Sequence, residues 1–223
     1  MPEMAIIYLP PYIRECALSY ILSDFLDTYT EQFPSEVQIS FQRLLSIRPE
    51  GVTLLSNTLH WLHEQGVRCV LTDLHNQRFS IQYLDDSKFF EQHTGACLRE
   101  NARLRPTTLP LQLVVNADSY AWINLTLVPW LSNRTGYPEG AFYPIAASMS
   151  ELFANIVDHT QYDIGSVFVQ HYPSVGNRGT IQISIADYGA GIAPPVPRPK
   201  LSIAVLLLGQ RAWSRRCREV SVP

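Results

Sequence analysis

The sequence has few cysteines, no long hydrophobic run and no excess of positive charge. Its four cysteines are widely spaced, and no two of them form a C-x-x-C pair: Cys16, Cys69, Cys97 and Cys217. We therefore expect neither a zinc site nor a disulfide framework, and interpret these residues as idle thiols in a reducing cytoplasm. The formal net charge of −3 argues against a general nucleic-acid binder.

The sequence also lacks the signals of membrane insertion and export. The apolar stretch 201–208 is far shorter than the ~20 residues that span a bilayer. The N-terminus has no basic region followed by an apolar run, so no signal peptide is expected. With 46% hydrophobic and 17% charged residues, the composition predicts a cytoplasmic globular protein whose length suits one large or two small domains.

Three polar residues recur every four positions in one segment of the chain: Glu151, Asn155 and His159. On an α-helix each step of four residues drifts by only about 40°, so the three side chains project from nearly one face. The positions between them supply an apolar stripe that would hold the helix on a sheet: Leu152, Phe153, Ile156 and Val157. This pattern predicts a helix that covers a pocket.

A strand pattern ends about 30 residues further on. Ile181, Ile183 and Ile185 alternate with polar residues, and the strand runs into Asp187-x-Gly189-x-Gly191. An aspartate at a strand end can accept a hydrogen bond from an exocyclic amine. Glycines allow the backbone to turn sharply and to approach a flat ligand closely.

The two segments together carry a family resemblance. ELFANIVDH resembles the N box of the Bergerat-fold (GHKL, histidine kinase-like) ATPases, the group of gyrase B, histidine kinases and MutL, and DYGAGI resembles their first glycine box. The resemblance implies that Asn155 is a ligand of the Mg²⁺ that bridges the phosphates of ATP. It also implies that Glu151 polarises the attacking water in members that hydrolyse ATP. A single amide oxygen, with phosphates and waters, is a suitable ligand set for Mg²⁺.

The same resemblance assigns the adenine pocket. Asp187 would accept a hydrogen bond from the adenine amino group, and Gly189 and Gly191 would line the pocket. Asp158 and His159 resemble the Asp-His pair that closes the N box in anti-sigma-factor-type kinases, where the roles of these residues vary. A surface helix followed by an ordinary Asp-Gly turn is the alternative interpretation.

The first 98 residues have the pattern of alternating strands and helices. We predict strands at 4–9, 36–41 and 67–71, and helices at 12–30, 52–65 and 81–93. Gly66 and Gly95 are expected to end the second and third helices, and Ser80 to cap the third. This order resembles a STAS-like domain, the anti-sigma-factor-antagonist fold, best over Glu36 to Gly95. A generic α/β regulatory lobe is the alternative, and no serine is singled out as a phosphorylation site.

The chain is therefore predicted to be an α/β (α+β) protein of four segments. Residues 1–98 form the STAS-like regulatory domain, and residues 99–110 form a linker. Residues 111–192 form the histidine-kinase-like ATPase domain, an incomplete Bergerat sandwich with helices over a mixed, largely antiparallel sheet. Within it we predict a first helix over 118–131, Pro144 in the first turn of the N-box helix, and strands at 165–172 and 180–187. Residues 193–223 form an atypical Pro/Arg-rich tail.

The tail departs from the family. Bergerat ATPases continue into a mobile lid, a second glycine box whose amides cradle the phosphates, and a closing strand. After Ile192 this sequence contains a single glycine, Gly209, and six Lys/Arg against one acid, whereas the first 192 residues carry a net charge of −8. The tail resembles a truncated or frame-shifted end; the alternative is a genuine tail whose basic residues bind an acidic partner. We expect weakened ATP binding, little or no turnover, and a sheet that loses a strand and exposes an edge.

These features predict an ATP- and Mg²⁺-binding bacterial regulatory protein that is similar to the anti-sigma-factor kinases. If active, it would be a Mg-ATP-dependent protein kinase or ATPase with a regulatory protein partner, and a homodimer is a possible assembly. Nucleic acid and membranes are not expected as partners. The alternative is a non-catalytic protein-interaction module with a vestigial nucleotide pocket. The remaining histidines lack ligand-like partners and are interpreted as surface or core residues: His60, His63, His75, His93 and His171.

Overall fold

The computed structural model describes residues 5–13, 24–25, 27–29, 33–74, 78–159, 163–173, 179–187, 202–209 and 212–218. The strands are β1 (Ala5–Tyr8), β2 (Tyr12–Ile13), β3 (Glu36–Ser40), β4 (Ser46–Ile47), β5 (Arg68–Thr72), β6 (Thr108–Val115), β7 (Ile164–Tyr172), β8 (Thr180–Asp187), β9 (Ser202–Gly209) and β10 (Ala212–Arg218). The α-helices are α1 (Pro49–Glu64), α2 (Phe79–Asp86), α3 (Phe89–Thr94), α4 (Asn116–Trp122), α5 (Val128–Thr135) and α6 (Tyr143–His159). A π-helical turn, Ile123–Leu127, joins α4 to α5, and a 3₁₀ turn, Glu139–Phe142, precedes α6. The chain is an α/β protein, as predicted.

The strands form two main sheets. A parallel sheet has the order β1-β3-β5, and an antiparallel sheet has the order β10-β9-β8-β7-β6. A short parallel pair, β2 with β4, lies apart from both. In the antiparallel sheet β6 is an edge strand and contains Pro110, which lies at a shift of register between Leu109 and Gln112. Edge strands and bulges are where a sheet tolerates the missing N–H of proline.

The predicted elements of the first 98 residues are partly confirmed. Strands β1, β3 and β5 lie where expected, and α1 ends before Gly66, whose φ of +76° is the left-handed conformation that suits glycine after a helix. The single helix predicted over 81–93 is wrong, because the chain breaks into α2 and α3 at Lys88, whose φ is +68°. Ser80 is not a cap: its hydroxyl donates to the Leu44 carbonyl. In the helix predicted over 12–30, Tyr12–Ile13 is a strand, residues 24, 25, 27 and 28 are helical, and most of the rest lies outside the described residues.

Helix α1 connects the two sheets. It packs against β5 of the parallel sheet and against β7 and β8 of the antiparallel sheet. One hydrophobic cluster consequently contains Val37 and Leu54 together with Leu111, Phe168 and Ala186. The segments 1–98 and 111–192, predicted as separate domains, therefore share a hydrophobic core.

The contact between α1 and the antiparallel sheet is polar at successive turns of the helix. Glu50 accepts a hydrogen bond from the Gln182 amide, and the hydroxyls of Thr53 and Ser184 lie 2.7 Å apart. One turn further on, Asn57 accepts a hydrogen bond from the Ser166 hydroxyl of β7. All of these residues are buried. Since one helical turn and two strand residues advance by similar lengths, α1 runs along β8 and makes about one polar contact per turn.

The segment predicted as a linker is held against α2 by ion pairs. Asp85, whose side chain is fully buried, accepts hydrogen bonds from the backbone N–H groups of Leu98 and Arg99 and from Nε of Arg99. Asp86 pairs with Arg99 and, at 3.0 Å, with Arg105. The last residues of the predicted linker already belong to β6, which begins at Thr108. This segment is consequently an ordered connection.

The tail contributes two strands to the antiparallel sheet. β9 pairs with β8, with Ser202 opposite Asp187, and β10 pairs with β9. The sequence predicts that the sheet loses at least one strand and exposes an edge, whereas the tail adds two strands beyond β8 and makes β10 the edge strand. The apolar run at 201–208 explains the difference, since a short continuous apolar run bounded by turn residues is typical of a strand.

The other face of the antiparallel sheet carries the second core. Here α4, α5 and α6 cover β6, β7 and β8, and one cluster unites Ile123, Leu131 and Phe153 with Val167 and Ile183. The sheet therefore has helices on both faces, α1 behind it and α4 to α6 in front. Within the described residues, no helix is long and apolar enough to cross a membrane.

Candidate functional site

Helix α6 carries the predicted N box and starts as the sequence indicates. Pro144 is its second residue, where its missing N–H leaves no hydrogen bond unmade. Ile145, Met149, Phe153 and Ile156 are buried and lie at helical spacing. The apolar face of α6 thus packs on the sheet, and the helix ends at His159, directly before β7.

The polar face of α6 points away from this core. Glu151 and Asp158 are exposed and Asn155 is half-buried. The predicted apolar stripe needs one correction, since Val157 is 41% exposed and belongs to the outer face. Val157 is one position beyond Ile156, and a step of about 100° takes it off the buried side. The side chain of His159 lies outside the described residues.

Asp187 is the last residue of β8 and is 9% exposed. Ile181, Ile183 and Ile185 belong to the core under α6, whereas Gln182 and Ser184 face α1. Because side chains alternate along a strand, Asp187 is on the α6 face of the sheet. Asn155 and Asp187, which the sequence predicts to bind one nucleotide, therefore belong to the same side of the sheet.

Gly165, the second residue of β7, is where α6 and β8 meet. A Cβ atom placed on Gly165 would lie 3.0 Å from Cδ1 of Ile156, 3.3 Å from Cε1 of Phe153 and 3.4 Å from Cδ1 of Ile185. Phe153 and Ile156 flank Asn155 on α6, and Ile185 precedes Asp187 by two residues. The absence of a side chain at Gly165 allows these residues to converge, so side chains of α6 and β8 meet over this position of β7.

The chemistry available here is that of oxygen ligands and hydrogen-bond acceptors. Asn155 offers an amide oxygen, Glu151 an exposed carboxylate and Asp187 a buried carboxylate. Among the residues that the structure describes, no group of three or more His, Cys, Asp or Glu side chains could hold a metal ion. A single amide oxygen such as that of Asn155 suits Mg²⁺ only where phosphate or water oxygens complete the ligand set.

Two further predicted site residues lie beyond the described part of the chain. These are Gly189 and Gly191, which are predicted to line the adenine pocket. The sequence reasoning also missed the polar residues of α1 that support β7 and β8 from behind: Glu50, Thr53 and Asn57. A signal was present, since these positions follow helical spacing, but it indicates a buried face only when the partner strand is known.

Comparisons were made with protein-family models, with curated proteins and with solved structures. None of the three finds a match to this chain.

Proposed function

We propose that this chain is an ATP-binding protein of the GHKL type, with Mg-ATP held between α6 and the C-terminal end of β8. The observation that carries the proposal is the convergence at Gly165 of Phe153 and Ile156 from α6 with Ile185 from β8. This packing supports the proposal because α6 carries the residues that resemble the N box, and β8 leads to Asp187, the first residue of the segment that resembles the first glycine box. The order helix, strand, strand, with Asp187 ending the second strand, supports the same interpretation.

Each proposed role follows from the chemistry of the side chain. The Asn155 amide oxygen is a Mg²⁺ ligand. The Asp187 carboxylate accepts a hydrogen bond from the adenine amino group, and its burial makes this contact selective. Glu151 is exposed on the same helix one turn before Asn155, where it can orient a water molecule. Asp158, His159, Gly189 and Gly191 complete the proposed nucleotide site.

The proposed biological role is regulatory. The first 98 residues resemble a STAS-like lobe and share their core with the back of the nucleotide-binding sheet. In this proposal the protein is a cytoplasmic, anti-sigma-factor-kinase-like regulator, and the lobe receives a protein partner.

Calorimetric titration of nucleotides into the full chain tests the proposal. We expect Mg-ATP to bind more tightly than ATP in EDTA, and ATP more tightly than GTP. Asn155→Ala should abolish the Mg²⁺ dependence. Asp187→Asn should abolish the preference for ATP, because an amide can donate to the guanine carbonyl whereas a carboxylate cannot.

Asp118→Asn is the matched control, since Asp118 is an exposed acid of α4. This variant should bind Mg-ATP, ATP in EDTA and GTP with the same affinities as the unmodified chain. If the unmodified chain takes up no ATP, or if both site variants bind as the control does, the nucleotide site is ruled out. The non-catalytic protein-interaction module then becomes the better assignment.

A further inference from the structure

A concave site lies on the first lobe, and its described lining residues include none from α6 or β8. It is a groove of about 780 Å³ between the C-terminal half of α1, the strand β5 and the helix α3. We call it the histidine groove, because His60, His63 and His93 line it. Its volume falls within the range of ~300–1,000 Å³ that is typical of small-molecule pockets.

The walls of the histidine groove are largely aliphatic. Leu59 comes from α1, Leu71 from β5 and Leu74 from the residues that follow β5, and Leu113 of β6 reaches the groove from the other sheet. The groove thus lies between two edge strands, β5 of the parallel sheet and β6 of the antiparallel sheet. Walls of this kind favour a ligand with an apolar body.

The charged groups of the groove have one sign. Among the described lining residues, Arg68 is the only one with a permanent charge, and none is an aspartate or glutamate. Arg68 pairs with Glu36 at 3.4 Å, but its side chain is 78% exposed. Such surface pairs are weak, so the guanidinium can turn to an anionic ligand at little cost. The groove therefore favours a negatively charged head group.

Burial favours the neutral forms of three side chains of the groove, the imidazoles of His60 and His93 and the thiol of Cys69. Burial lowers the pKa of His60, and burial followed by the charge of His60 lowers the pKa of His93 to about 4. Burial also raises the pKa of the Cys69 thiol to about 11. A neutral imidazole can donate one hydrogen bond and accept another, so these side chains can bind polar atoms of an organic molecule. Among the described residues, no group of three or more His, Cys, Asp or Glu side chains could hold a metal ion.

Gln92 is one of the residues that line the groove. Its side-chain nitrogen is buried in the present rotamer and makes no hydrogen bond within the described part of the chain. Buried donors are nearly always satisfied, so this nitrogen would gain from an acceptor. An oxygen atom of a bound ligand would satisfy it after a small adjustment of the side chain.

We propose that the histidine groove binds a small organic carboxylate with an apolar body. The carboxylate pairs with Arg68, a ligand oxygen accepts a hydrogen bond from Gln92, and the apolar body lies against Leu59, Leu71 and Leu113. This site is separate from the proposed nucleotide pocket and does not depend on ATP binding.

Thermal unfolding of the full chain tests this site. The probes are the straight-chain alkanoates from butanoate to decanoate and 3-phenylpropanoate, each compared with its uncharged primary amide. We expect at least one carboxylate to raise the Tm to a saturating value, because a ligand that binds only the folded state must stabilise it. The matched amide should give a much smaller rise. Arg68→Gln should remove most of the rise, and Arg103→Gln, at an exposed arginine outside the groove, should retain it.

Histidine imidazole NMR signals locate the bound probe. Signals of His60, His63 or His93 should move as the carboxylate is added, whereas that of His171, on β7, should not. The proposal is overturned if no carboxylate of the panel gives a saturable rise, if the amides match the carboxylates, or if Arg68→Gln responds as the unmodified chain does. Gln92→Met is a second variant, in which Arg68 is unchanged. It should also reduce the rise in Tm that the carboxylate causes.

Discussion

The hydroxyl oxygens of Thr53 and Ser184 lie 2.7 Å apart, although 131 residues separate them in the sequence. Both residues are fully buried, and their hydrogen bond joins α1 to the centre of β8. The side-chain oxygen of Thr53 also donates to backbone carbonyls of its own helix. The pair is therefore a specific link between the first lobe and the antiparallel sheet.

Loss of one member of this pair should destabilise the chain. Thr53→Val keeps the side-chain shape but leaves the Ser184 hydroxyl without this partner, which should lower the free energy of unfolding by about 1–3 kcal/mol. Urea unfolding measures the effect. The double variant Thr53→Val/Ser184→Ala should be less destabilised than the sum of its two single variants. Thr94→Val, the same change at an exposed threonine, should have little effect, and additivity at Thr53 and Ser184 would contradict the link.

Gly165 should not tolerate a side chain. In Gly165→Ala the new Cβ meets Ile156 at 3.0 Å and Phe153 at 3.3 Å, so these side chains, and α6 with them, must give by a small distance, which we expect to cost about 1–3 kcal/mol. We expect weaker Mg-ATP binding in titration calorimetry, because Asn155 moves with the helix. Ile156→Val removes the clashing methyl group and should restore part of the loss in the double variant. Gly140→Ala, whose nearest contact is at 3.8 Å, is the control; equal effects at both glycines would refute the packing argument.

The stability of the chain should depend on pH through His93. Its pKa falls from 6.5 to about 4 on folding, chiefly by burial. Between these values the unfolded chain binds a proton that the folded chain does not, so stability decreases as the pH falls from about 6.5 to about 4. The loss amounts to at most about 3 kcal/mol and is absent above pH 6.5. Chemical unfolding across this range measures it.

His93→Gln should flatten this pH profile, because glutamine does not titrate but can still hydrogen-bond to Ser56, as His93 does at 3.0 Å. His171→Gln is the control and should leave most of the slope, since His171 is less buried and burial lowers its pKa less. An unchanged slope in His93→Gln would show that other groups cause the acid sensitivity.

Asp85 should be the residue that fixes the segment after α3. Its buried carboxylate accepts two backbone N–H groups and pairs with Arg99. Asp85→Asn turns one acceptor into a donor that faces these N–H groups, and the loss of a buried pair costs about 3–5 kcal/mol. Limited proteolysis should then cleave within residues 99–107 faster than in the unmodified chain. Glu100→Gln, an exposed change in the same segment, should not alter the cleavage rate.

The sequence predicts the front of the antiparallel sheet well, for local reasons. Alternation at Ile181, Ile183 and Ile185 and helical spacing around Asn155 are properties of neighbouring residues, and the structure has β8 and α6 where they indicate. The break at Lys88 carries no comparable signal, because neither glycine nor proline marks it. At Gly66, where glycine is present, the helix end was predicted correctly.

The remaining differences arise from contacts that are distant in sequence. His60, His63 and His93 look unrelated in the chain, and only the packing of α3 beside α1 brings them to one groove. The strand β9 was not predicted, because it lies within a tail that is rich in proline and arginine, although its apolar run at 201–208 was recognised. The roles of Glu151, Asn155 and Asp187 stay predictions, since they depend on a ligand whose binding the titrations above measure.

The position of α1 has a consequence for how the chain folds during synthesis. The helix and the parallel sheet are translated early, but the strands that cover the other side of α1 follow more than a hundred residues later, as the separation of Thr53 and Ser184 shows. Contacts this distant slow folding, because a long loop must close before they are gained. Until β7 and β8 emerge from the ribosome, Glu50, Thr53 and Asn57 of α1 lack the hydrogen-bond partners that these strands supply. The early half of the chain is thus a candidate substrate for chaperones until its later half is complete.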